Sequence, residues 1–169
     1  MAITVFSQVR FFLKSIFNGG GDYGPGPGVE GVNVDRPLAT GTGDYQADRV
    51  AAMQDETLTA SGNLDIDLTT MVGPDGAAVA IAEVVVLVIE AGDGNGDVLR
   101  ITPSSSAGWT AFLGGTTPHF DLAAGGKVVL YAPKDGSYAV SGSNKSINIA
   151  NQDSTATATY SVTVLGRSA

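Results

Sequence analysis

From Thr57 onward, apolar and polar residues alternate with a period of two, interrupted by clusters of Gly, Pro, Asn and Asp. Successive side chains of an extended strand point to opposite faces, so this alternation marks strands with one dry and one wet face. Leu58 and Ala60 alternate with Thr57 and Thr59, and Leu64, Ile66 and Leu68 with Asp65, Asp67 and Thr69. Ser61-Gly62-Asn63 between them has the composition of a hairpin connection, and Gly73-Pro74-Asp75-Gly76 that of a turn. Val79 to Ala91 is nearly continuous in apolar residues, as a central strand covered on both faces would be. Further strands are predicted at Val98 to Thr102, Trp109 to Leu113, His119 to Leu122, Lys127 to Ala132, Tyr138 to Val140 and Ser146 to Ala150. In the last strand Ala156, Ala158, Tyr160, Val162 and Val164 share one face, and Thr157, Thr159, Ser161, Thr163 and Leu165 the other.

About eight strands at intervals of about 8–15 residues, with no helical stretch between them, predict an all-β fold. An antiparallel β-sandwich of jelly-roll type fits best. A parallel α/β sheet is excluded, because its crossovers need helices.

The chain before Tyr45 reads differently. Residues 1–17 (MAITVFSQVRFFLKSIF) are apolar and weakly basic. At helical spacing Val5, Val9, Phe12, Leu13 and Ile16 fall within an arc of about 100°, with Phe6 and Phe17 beside it. This is a short amphipathic helix or an extended arm, and so short a helix needs a surface to lie on. Residues 18–44 are rich in Gly and Pro, which raise chain entropy and remove backbone donors. They read as a tether, in which Val29, Val32 and Val34 could pair as a short extended segment. The expected organisation is an arm at 1–17, a linker at 18–44 and a β domain at 45–169.

Composition narrows the functions available. Nine Lys and Arg stand against seventeen Asp and Glu, a net charge of −8 that disfavours free nucleic acid as a partner. The absence of Cys removes disulfides, thiolate metal sites and a cysteine nucleophile. No apolar run approaches the length of a membrane span, so a soluble chain with no membrane partner is expected. Arg10 and Lys14 lie within the apolar stretch instead of preceding it, and no small-x-small site follows, so a secretion signal is not expected.

Candidate chemistry is sparse. Asp93, Asn95 and Asp97 have the spacing of half a calcium loop, but Ser104 stands where its bidentate Glu belongs, and a Gly-rich acidic turn explains the same residues. His119 is the only histidine; Asp121 is its one available acid–base partner, and no nucleophile signature accompanies them. Asp65 and Asp67 on one strand face read as a solvated surface, not a glycosidase pair. Trp109, Tyr131, Tyr138 and Tyr160 could stack on a sugar but suit core filling. Ser141-Gly142-Ser143 reads as a turn. Neither an enzyme, nor a cofactor, nor a metal site is expected.

Two stretches, TGTGDYQADRV (Thr40 to Val50) and DETLTASGNLDIDL (Asp55 to Leu68), resemble the opening of small virion proteins of tailed bacteriophages. In those proteins a Gln-Ala-Asp element precedes a Thr-Leu-Ala-Ala-Ser strand and an acid-Leu-Asp-Leu strand. The Gly-Gly approach to the strand within Ala124 to Pro133, and the ending Gly166 to Ala169, are similar too. The likeness covers about residues 40–169 and departs at the longer, more aromatic N-terminus. It implies a capsid decoration (cement) protein with a jelly-roll body, commonly trimeric, bound to the major capsid protein on the outer surface of the virion. Val5, Phe6, Val9, Phe12, Leu13, Ile16 and Phe17 are then the expected partner-binding residues. The alternative is a head or tail fibre module that binds host-surface carbohydrate.

Overall fold

The computed structural model describes residues 7–12, 33–113, 118–136 and 138–168, with side chains from Leu38 onward. Among them there is no helix. The strands are β1 Ser7–Phe12, β2 Asn33–Leu38, β3 Arg49–Leu58, β4 Asn63–Asp67, β5 Met71–Val72, β6 Ala78–Val79, β7 Glu83–Ala91, β8 Leu99–Pro103, β9 Phe120–Leu122, β10 Lys127–Tyr131, β11 Ser146–Asn151 and β12 Ala158–Arg167. They form two antiparallel four-stranded sheets, ordered β10-β7-β12-β3 and β4-β11-β8-β9, and the two-stranded pairs β1-β2 and β5-β6.

Alternation fixes which faces meet. On β12, Ala158, Tyr160, Val162 and Val164 are buried in one apolar cluster with Leu87 and Ile89 of β7. The other sheet sends Leu99 and Ile101 of β8 and Ile147 and Ile149 of β11 into the same cluster. Each Val, Leu or Ile among them contributes about 1.5–3 kcal/mol on burial. A one-residue slip would turn a whole strand inside out, so the pattern also specifies register.

A second, smaller cluster lies on the far side of β7. Val85 and Val86 meet Leu165 of β12 there, under Leu38 and Ala47. This accounts for the continuous apolar run of β7, covered on both faces as expected. The run is interrupted at residues 80–82, where Ile81 is buried and its N–H donates to the Leu68 carbonyl at 3.3 Å. Two register shifts bend β12 and its neighbours, one between Tyr160 and Val162 against β3, the other between Leu165 and Gly166 against β7. Asp55 has φ of 52° at the first, as a bulge residue can. At the second, a Cβ on Gly166 would stand 2.6 Å from the Glu83 carbonyl oxygen, so only Gly permits the approach.

Several strand expectations are corrected. Trp109 to Leu113 is not a strand: the Trp109 N–H is held by the Ser146 carbonyl at 2.8 Å, its ring is fully buried, and the chain then turns. Tyr138 to Val140 makes only an isolated bridge, Ala139 to Glu83. Ser61-Gly62-Asn63 is no hairpin, because β3 and β4 belong to different sheets. The strand expected from Thr57 starts at Arg49.

The N-terminal stretch was compatible with a helix or an extended arm. Its described part, β1, is extended and antiparallel to β2, with Ser7 opposite Leu38 and Phe11 opposite Val34. Residues 1–6 and 13–32 lie outside the described residues.

Candidate functional site

The polar groups singled out by sequence are each held by neighbours. In the Asp93-Asn95-Asp97 turn, Asn95 clamps the backbone of Thr159: its Oδ1 accepts from the Thr159 N–H at 2.8 Å and its Nδ2 donates to the Thr159 carbonyl at 3.0 Å. Asp97 Oδ1 accepts from the next N–H, that of Val98, at 2.7 Å. The middle ligand of a calcium loop is therefore spent on joining the β7–β8 connection to β12. Among the described residues no group of three or more His, Asp or Glu is placed to hold a metal ion.

Asp121 lies opposite Arg100 in the β8–β9 register and takes both guanidinium contacts, at 2.8 and 2.9 Å. The hydrogen bond from Arg100 lowers its carboxyl pKa, desolvation opposes this, and the charges of Arg100 and His119 add to the lowering. A carboxylate so engaged is a poor proton acceptor, and His119 itself is exposed.

Asp65 and Asp67 are also partnered. Asp65 accepts from Ser104 Oγ at 2.8 Å and from Asn148 Nδ2 at 2.7 Å. Asp67 Oδ1 accepts from the Thr69 N–H and hydroxyl, and Lys145 Nζ lies 2.6 Å from its Oδ2. Partial burial pushes the Asp67 carboxyl up, but the hydrogen bonds from Lys145 and Thr69 outweigh it and hold the group below its ordinary value of 3.8. These two acids fasten β4 to β11 and to the loops around it.

The aromatics divide between core and margin. Trp109 and Tyr160 are buried, so neither offers a ring face to a sugar. Trp109 donates its Nε1–H to the Ala139 carbonyl at 3.0 Å and packs on Phe112 and Tyr138, with centroids 5.0 and 5.9 Å away. Tyr138 and Tyr131 are half-buried, Tyr131 beside the outer cluster. Ser141 lies in the expected turn, exchanging backbone hydrogen bonds with Asn144. A shallow cleft of about 840 Å³ runs between the β5–β6 hairpin and this turn. Its Asp48 accepts from the Ser168 N–H and hydroxyl, both at 2.7 Å, and from Arg49 at 3.0 Å.

Sequence reading missed one cluster. The guanidinium of Arg167 is 1% exposed and lies 2.9 Å from Glu83 Oε1. It also donates to the carbonyls of Gln46, Lys134 and Pro133. One buried cation thus joins β12, β7, the segment covering the outer cluster and the loop after β10. The signal available was a lone Arg ending an apolar strand, which does not name its partner 84 positions earlier in sequence.

Of the residues expected to bind a partner, Val9 and Phe12 fall on β1, while Val5, Phe6, Leu13, Ile16 and Phe17 lie outside the described residues. No protein-family model matches the chain, and no curated protein matches it.

Proposed function

We propose that the protein is a structural component of a tailed-phage virion, a decoration protein whose jelly-roll body sits on the capsid and stabilises the contacts between major capsid subunits. The observation that supports the body's part in this reading is its strand pairing. Taking β3, β4, β7, β8, β9, β10, β11 and β12 in chain order, the first pairs with the last, the second with the seventh, the third with the sixth and the fourth with the fifth. That is one long antiparallel hairpin, and two further pairings, β7 with β12 and β8 with β11, roll it into two sheets. Such a roll supports reading the body as a jelly-roll sandwich, an architecture used in capsid proteins and lectins. Fold does not fix function, and here the polar groups favour the structural role, since the candidate carboxylates serve turns and cross-strand pairs. Attachment would come from apolar contact of the N-terminal segment with the capsid, multiplied by oligomerisation of the body into trimers.

The test uses purified protein and mature capsids that lack it. Binding should saturate at a ratio set by capsid symmetry and raise the temperature at which capsids rupture. Absence of binding to capsids of its own phage would overturn the proposal. A carbohydrate-binding module is the second reading, and with Trp109 and Tyr160 buried no observation now favours it.

A further inference from the structure

Two open edges of the body face one groove. β3 and β4 are edge strands, each paired on one side only among the described residues. Between them, beside β5, runs a groove of about 320 Å³ lined by Met53, Glu56, Leu64, Asp65, Met71 and Val72. Three large apolar side chains of the described body are exposed, Leu64, Val72 and Val129, and two of them line this groove. An edge strand with apolar neighbours is a template for an added strand.

Charge states what kind of strand would fit. From Tyr45 onward the chain has six basic residues, Arg49, Arg100, Lys127, Lys134, Lys145 and Arg167, against thirteen acidic ones. All six are paired to carboxylates, five within the body and Lys134 with Asp44 just before it. Glu56 has no ion pair among the described residues. The groove therefore suits an extended segment that is apolar and basic. Strands β1 and β2 together hold two basic residues, Arg10 and Arg36, against one acid, Asp35, and Val9, Phe11 and Phe12 lie on β1. The β1–β2 hairpin forms a sheet of its own, and an isolated two-stranded hairpin is at best marginally stable in water. Among the described residues no third strand joins it, and it is not paired to β3 or β4 of its own chain.

We propose that the groove between β3 and β4 receives the β1–β2 hairpin of a second copy of the chain, so that neighbouring copies are linked by exchanged hairpins. The inference rests on the reading of the N-terminal segment as a contact element and names its first partner as another copy.

The chain has no Cys, which allows a direct test with the full-length protein. Phe11→Cys and Leu64→Cys are placed in separate copies, mixed and oxidised. A disulfide-linked species at twice the chain mass of 17.1 kDa is expected. Arg10→Glu or Leu64→Lys should raise the dissociation constant of the oligomer about tenfold or more, as loss of a central contact does. Arg10→Glu combined with Glu56→Arg should recover part of it. Leu64 and Glu56 are exposed, and circular dichroism checks that all the variants fold. A wild-type chain that stays monomeric overturns the inference, as does an oligomer indifferent to both substitutions. Ring closure within one chain carrying both cysteines, in place of cross-linking between copies, overturns it as well. None of these measurements uses capsids, so failure of capsid binding leaves the exchange intact, and a monomer that binds capsids overturns only the exchange.

Discussion

The two apolar clusters of the body are built on opposite faces of the same sheet, and they are held by different means. The inner one is closed by a second sheet, so strands contribute to it from both sides. Among the described residues the outer one has no four-stranded sheet above it. Its cover is Leu38 and Ala47, from irregular chain and the end of β2, tied to the body by backbone bonds from Tyr45 to the Pro133 carbonyl at 2.7 Å and from Asp48 to the Gly166 carbonyl at 3.0 Å. Polar side chains add to these: Arg167 reaches the Gln46 carbonyl at 3.0 Å, and Asp48 holds Ser168. Packing between sheets makes the inner cluster, whereas the cover of the outer one is held by a few backbone bonds, a buried charge and a carboxylate.

Breaking that charge should have the largest effect. Arg167→Ala would leave Glu83 buried without its cation and take a donor from the carbonyls of Gln46, Lys134 and Pro133, a loss of about 3–5 kcal/mol. Urea unfolding measures it. Arg167→Met with Glu83→Leu should recover a large part, because a well-packed apolar pair removes the orphaned charge. A single variant as stable as the wild type would show that packing alone holds the outer cluster.

The next effect compares the clusters directly. Ile101→Ala, between the sheets, should cost more than Leu38→Ala, which should cost about 2 kcal/mol, near the low end for such truncations. The irregular cover over Leu38 can settle into the space it leaves, while two sheets cannot. Equal losses in urea unfolding would mean that the outer cover is as rigid as the inner core.

Legibility in the sequence followed the same division. The inner cluster was readable because period-two patterning is local: Ile66 and Leu68, or Tyr160, Val162 and Val164, announce their face by their own neighbours. The demand for an outer cover was readable from the unbroken run in β7, but its supplier was not. Leu38 sits in a Gly/Pro-rich stretch whose composition suggests a tether. Arg167 and Glu83 meet through the β7–β12 pairing, a long-range relation that no spacing encodes. Trp109 misled for a related reason, since an aromatic beside Thr and Ala has the look of a strand but is anchored here by single hydrogen bonds to Ser146 and Ala139. Among the candidate sites, the residue types were visible and their partners were not: nothing local to Asn95 points to the Thr159 backbone.

The smallest effect tests whether the rim of the inner cluster also relies on a charge. Asp67 and Lys145 pair beside β4, both side chains 27% exposed, so the pair is worth a few tenths of a kcal/mol, as near-surface pairs are. The Asp67 carboxyl is held below 3.8 in the folded protein. As pH falls the unfolded chain takes up this proton first, so the stabilisation is complete well above 3.8 and is lost as pH drops through the lower folded value. Lys145→Met should therefore lower the melting temperature slightly at neutral pH, and the gap from wild type should close in acid. The residual stabilisation by Thr69, which bonds the same carboxylate through its N–H and hydroxyl, persists in both proteins. A gap that is unchanged well below pH 3.8 would assign the effect of Lys145 to the packing of its methylene stem, and the inner cluster would then owe its rim, like its centre, to packing.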